Sequence, residues 1–395
     1  MKKLIIKHGS LILIFIFLFS CKKVESQISK NNFDVSDVEA EQMAIILSKS
    51  FKLSNSGIIT NKKIYSKDGK NLLHYFQFDK AKCVLIAGDK RVNPLLAFSE
   101  NPNEYKNESP EFNYFLDHYM DQLLNIKNKH LSNSIDSIWY DLSIDFNQIS
   151  FSDCSEIPRI IPDNNWHQSA PYNTYGYLLG ANRGLVGCSP LALSMVCKKY
   201  QFPLSTSGIT TYGASGVTYI GDLTSTYNYN QINWFLQPSS PTDEIRETDS
   251  LMLNVGLLCK AEYGTYSTST WYNPNNGTDN YSRGMSGLGF NVEMHYRNSS
   301  TEASWINLIK TPLINGSPVL YNGYQTNIGA GHSWVCDGFK TCIREIRKSN
   351  RFSGNYFNFK WGWGNNTGFN YYYLNQLAIG SYNFNGHQKI YIPTP

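Results

Sequence analysis

The stretch Gly187-Cys188-Ser189-Pro190-Leu191 sets a thiol where a glycine turn gives way to a helical run. Pro190 suits a first helical turn, because its missing N–H would have no partner there anyway. Leu191, Ser194 and Met195 then recur at helical spacing. A thiol at a helix N-terminus meets unpaired N–H groups and the positive end of the macrodipole, and both favour its anion. A thiolate so placed is a nucleophile, whereas an ordinary free cysteine is a small buried hydrophobe. A nucleophile also needs a base, a donor for the developing oxyanion and a wall against water. Of eight histidines, His332 is set apart by Gly329-Ala330-Gly331 before it and Ser333-Trp334-Val335 after it. The small residues permit close approach, and the large ones anchor a strand. Gln168, in Trp166-His167-Gln168, carries two side-chain N–H donors for an oxyanion. Trp361-Gly362-Trp363-Gly364 combines tight turns with indoles that can cover an ionic pair.

These residues lie far apart in the chain, so a folded scaffold must assemble them. The 395 residues suffice for two domains. Residues 34–127 read as a small α+β module. Ser36-Asp37-Val38-Glu39 is a capping box, and Met43, Ile46, Leu47 and Phe51 form one helical face behind it. Strand-like runs follow at His74–Phe78, Cys83–Ala87 and Pro94–Phe98, then a helix from Ser109-Pro110 with Phe112, Phe115, Leu116, Tyr119 and Leu123 on one side. Residues 128–150 are polar and read as a linker open to proteolysis. The second domain, 151–395, holds the thiol helix, Gly/Thr/Tyr/Ser-rich short strands over 205–230, and a helix around Ser250–Val255. A β meander follows through 318–321, 333–335, 356–361, 371–374 and 389–392.

The net charge of +4 carries no basic stripe, which argues against nucleic acid as a partner. Lys2 and Lys3 precede an apolar run, Leu11–Phe19, too short to span a membrane comfortably. The run ends in Leu18-Phe19-Ser20-Cys21, which resembles a bacterial lipobox with Cys21 as the acylated residue. Residues 1–21 are thus expected to be a lipoprotein signal peptide and 22–33 a tether. The mature protein would then be an exported lipoprotein, membrane-anchored in the periplasm or at the cell surface. The eight cysteines show no zinc-type spacing, and their pairing stays open.

The order Trp166…Gln168…Pro171-Tyr172-Asn173, then Gly187-Cys188, then Gly331-His332…Asp337-Gly338, then Trp361–Gly364 resembles the streptopain family of papain-clan cysteine peptidases. Val84-Leu85-Ile86-Ala87-Gly88-Asp89-Lys90-Arg91 and Pro94-Leu95-Leu96 resemble that family's inhibitory propeptide. The resemblance implies an α+β fold: a papain-like peptidase domain, with a helical part and a β-rich part, behind a small α+β propeptide domain. It implies a zymogen with Cys188 as nucleophile, His332 as base, Gln168 as oxyanion donor and Trp361 as a shield. It implies protein or peptide substrates, the chain's own propeptide as inhibitor, and no metal or organic cofactor. The family usually has Asn just before the first Trp of Trp-Gly-Trp-Gly, to orient the histidine. Here that residue is Lys360, which has no acceptor. Period-two alternation sets Asn358 on the same strand face as Lys360, so Asn358 is the candidate orienting residue. The alternative is a catalytically impaired, surface-binding lipoprotein on the same fold.

Overall fold

The computed structural model describes residues 33–79, 82–100, 110–128, 139, 153–270, 272–273, 278–297, 300–324, 331–347, 350–364, 369–374 and 388–395. The signal segment with Cys21, nearly all of the tether and nearly all of the 128–150 linker lie outside the described residues.

Among the described residues, six helices and one large sheet carry the fold, which is mixed α+β. The helices are α1 (Asp37–Ser50), α2 (Pro110–Asn128), α3 (Cys188–Tyr200), α4 (Thr242–Leu258), α5 (Asn280–Gly287) and α6 (Glu302–Ile314). The sheet strands are β1 (Ile59–Lys67), β2 (Lys70–Phe78), β3 (Cys83–Ala87), β4 (Leu95–Ser99), β5 (Asp153–Ile157) and β6 (Asn291–Tyr296). They continue with β7 (Val319–Tyr324), β8 (Gly331–Arg347), β9 (Asn350–Lys360), β10 (Tyr371–Tyr373) and β11 (Lys389–Thr394). The strand order is β1-β2-β3-β4-β10-β9-β8-β7-β11-β6, with β5 paired to β8. Residues 205–226 form one hairpin of two short antiparallel ladders outside this sheet.

Local sequence accounts for much of this. Ser36 and Glu39 bond each other's backbone at the start of α1, closing the capping box. Strands β3 and β4 are buried along their whole length, as their unbroken apolar runs require. The 34–127 module does not stand apart from the β meander. Its strand β4 pairs with β10, Phe98 opposite Tyr371 and Ala97 opposite Tyr372. Phe98 stacks on Tyr371 at 4.8 Å, and Phe51 meets Tyr356 edge-on at 5.1 Å. One core therefore runs from α1 across to β9. A second core lies between α3, α4, α5 and the β7–β8–β11 part of the sheet. Cys154 of β5 and Cys342 of β8 face each other across the strands and form a disulfide.

Candidate active site

The thiol is delivered by a backbone turn that only glycine makes without strain. Gly187 has φ of 91°, and a Cβ there would come within 2.8 Å of Thr268 Cγ2. Cys188 is the first residue of α3, so its N–H has no acceptor within the helix. Residues 189–197 behind it are all buried, which fixes the helix against β8 and α4. Cys188 itself stays partly exposed.

His332 opens β8, opposite Gly323 of β7. Its imidazole is the group that acts most strongly to lower the Cys188 thiol. Burial pushes that thiol's pKa up. His332, with the Ser333 backbone N–H and the Ser189 hydroxyl, outweighs burial and brings it down to about 7. On the far side of the ring, Nε2 lies 3.0 Å from the Trp361 carbonyl oxygen. A carbonyl only accepts, so Nε2 carries a proton and Nδ1 is left for the sulfur. Three indoles flank the ring: Trp334 at 5.9 Å, Trp361 at 6.0 Å and Trp363 at 5.1 Å between centroids. Trp361 and Trp363 stack on each other at 5.0 Å and are nearly buried. Such faces favour an imidazolium and keep water off it. Gly362, with φ of 76°, makes the turn between them. A Cβ there would lie 2.6 Å from Leu191 Cδ2, so this loop presses directly on the thiol helix.

Gln168 is held next to the same turn. Its carbonyl accepts from Val186 N at 2.9 Å, two residues before the thiol, and Gly364 N donates to Trp166 O at 3.0 Å. Trp166 is buried, donates from Nε1 to Asn233 O at 2.8 Å and packs on Trp234. Asp337, fully buried, sits at a bulge in β8. Its backbone and carboxylate oxygens accept from Ile160 N at 2.8 Å and Ile161 N at 3.2 Å, which pins the segment leading to Gln168. Burial raises the Asp337 carboxyl to about 6, with Lys360 and Arg159 opposing the rise.

The structure thus gathers Cys188, His332, Gln168 and Trp361 around one turn. It does not bring Asn358 to the imidazole. β8 and β9 pair Val335 with Lys360, and antiparallel partners share a face. His332 is an odd number of residues from Val335 and projects to the other face, with Trp334. Asn358 shares the Lys360 face and lies opposite Gly338, buried, with both amide atoms lacking a hydrogen-bond partner. Lys360 reaches Asp163 at 3.3 Å. Alternation holds within β9, but only the β8 register tells which face holds the ring. The Trp361 carbonyl was missed because a backbone oxygen leaves no mark in the sequence. Trp334 was legible only as an anchor.

The model of the Peptidase C10 family matches residues 166–373. Streptopain of Streptococcus pyogenes is 23% identical over 351 residues, covering 81% of this chain and 80% of that protein. Among solved structures, the prointerpain A fragment of Prevotella intermedia superposes with a TM-score of 0.61 at 20% identity, covering 84% of this chain and 98% of that one. That second likeness is one of fold. The matched family span takes up more than half of the chain and encloses Gln168, Cys188, His332 and Trp361, so this chain belongs to the Peptidase C10 family.

Proposed function

We propose that the chain is a cysteine endopeptidase made as a zymogen, exported and held to a membrane through a lipid on Cys21. The Cys188 thiolate attacks the scissile carbonyl carbon. The Gln168 side-chain N–H and the Cys188 backbone N–H donate to the oxyanion. The imidazolium gives its Nδ1 proton to the leaving amine as the C–N bond breaks. The neutral ring then takes a proton from water, whose oxygen attacks the thioester and releases the acid and the thiolate. The observation that carries this reading is His332 held through Nε2 on the Trp361 carbonyl, with the ring drawing the Cys188 thiol down. That hold also speaks against the impaired alternative. Lys360 is engaged with Asp163, and the orienting acceptor is supplied by the next residue's backbone.

Residues 34–127 act as the propeptide in this reading, and the 128–150 linker as the activation region. The β4–β10 pairing and the Phe98–Tyr371 and Phe51–Tyr356 contacts support a module that binds as a strand donor to the peptidase sheet. N-terminal sequencing of stored protein tests this part. A new end between residues 128 and 150, absent from Cys188→Ala, is expected; identical processing in Cys188→Ala would refute self-activation. Incorporation of labelled fatty acid, lost in Cys21→Ala, tests the anchor.

A further inference from the structure

The residues that follow the nucleophile and the base are both serines, and their hydroxyls meet. Ser189 Oγ and Ser333 Oγ lie 2.7 Å apart, although 144 residues separate them in the chain. Both are buried, at 3% and 1% exposure, where an unpaired hydroxyl is costly. Asn322 Nδ2 donates to Ser333 Oγ at 2.9 Å, and Thr270 Oγ1 donates to Ser189 Oγ at 2.8 Å. Ser189 is the residue next to Cys188, and its hydroxyl is among the groups that lower the thiol.

Donor and acceptor capacity allows one continuous direction for this chain when the Ser189 proton is given to the thiolate. An amide nitrogen has only protons to offer, so Ser333 accepts from Asn322 and has its own proton to offer to Ser189. The Ser189 oxygen then accepts from both Ser333 and Thr270, which fills its two lone pairs. Its single proton is left for the sulfur. In this direction Ser333 and Ser189 each accept from behind and donate forward, and each bond polarises the next in a dry setting. We propose that Asn322, Ser333 and Thr270 are positioning residues that feed a one-way donor relay, through Ser189, onto the Cys188 thiolate. The relay stabilises the anion independently of His332, and it joins α3 to β8 at the two residues adjacent to the reacting pair. This rests on Cys188 being the nucleophile of the proposed peptidase.

The test is the rate of Cys188 alkylation by iodoacetamide against pH, on the full chain, for Ser189→Ala, Ser333→Ala and the double variant. Loss of a hydrogen bond to a charged group should move the ionisation midpoint up by about 1 pH unit in Ser189→Ala. Ser333→Ala should move it up by less, and Ser333→Thr should restore it. A serial relay further requires that Ser333→Ala add nothing once Ser189 is alanine. Unmoved midpoints, or shifts that simply add while the thermal midpoint falls, would mean that the hydroxyls only fasten the helix to the strand. Alkylation reads the thiol whether or not peptides are cut. Absent casein turnover with the predicted shifts would therefore remove the peptidase reading and leave the relay.

Discussion

Removing the imidazole has a consequence that can be worked out before it is measured. In the folded protein the Cys188 thiol stands near 7 instead of its ordinary 9.0, because His332, helped by the Ser333 N–H and the Ser189 hydroxyl, outweighs burial. Two units correspond to about 2.7 kcal/mol of preference for the ionised pair. In His332→Ala the burial remains and its largest opponent is gone, so the midpoint should return to 9 or above. At pH 7 the thiolate fraction then falls from about one half to about one in a hundred, roughly 50-fold. The remaining thiolate is more basic and hence more nucleophilic. With a Brønsted slope of about 0.4–0.5 over two units it reacts some 6–10-fold faster, so alkylation at pH 7 should slow only about 5–8-fold. Peptide hydrolysis should fall by several orders of magnitude more, because the proton donor for the amine is lost too. Iodoacetamide kinetics from pH 5 to 10, beside casein turnover, read both effects. A wild-type midpoint near 9, or a midpoint near 7 that survives His332→Ala, would refute the assignment of the low value to the imidazole.

Three further outcomes follow from the geometry. Asn358→Ala should leave kcat unchanged, and Lys360→Gln should lower stability through Asp163 and Asp337 while turnover persists. Loss of a true orienting residue would cost up to about ten-thousandfold in a serine triad, so steady-state kinetics separate the cases. Converting Cys154 and Cys342 together to serine reopens a loop of 188 residues. On the chain-entropy view this costs about 5 kcal/mol as an upper figure, visible as a lower urea midpoint. His74, buried between α1 and the sheet with its pKa depressed by burial, binds a proton less readily folded than unfolded. Its neutral form fits the core, so the module's stability should hold above the ordinary 6.5 and decline as pH falls below it. Asp37, at 3.7 Å, softens that decline. Hydrogen exchange in α1 and β2 at pH 7.5 and 5.5 reads it, and equal protection at both would contradict it.

What the sequence revealed was what is local or what needs a particular side chain. The Ser36–Glu39 box, the apolar strands β3 and β4 and the glycine turn into α3 all follow from neighbours in the chain. Cys188 and His332 stood out because few residue types can serve as nucleophile or base. What escaped was what depends on partners. Strand β1 is polar and exposed along most of its length, because it is a sheet edge, so it shows no apolar alternation. Helix α6 carries Pro312 within its last turn. The Cys154–Cys342 pairing and the face on which Asn358 lies are set by strand register, which composition and periodicity do not encode.

The account stands on Cys188 and His332 acting together to cut peptide bonds. The most direct test is hydrolysis of denatured casein under reducing conditions by the processed wild-type protein, Cys188→Ala and His332→Ala, with an epoxide thiol label on each. Turnover and labelling in the wild type, and neither in Cys188→Ala, is the predicted result. Labelling that persists in Cys188→Ala, or a correctly folded, processed wild type that cuts nothing, would contradict it.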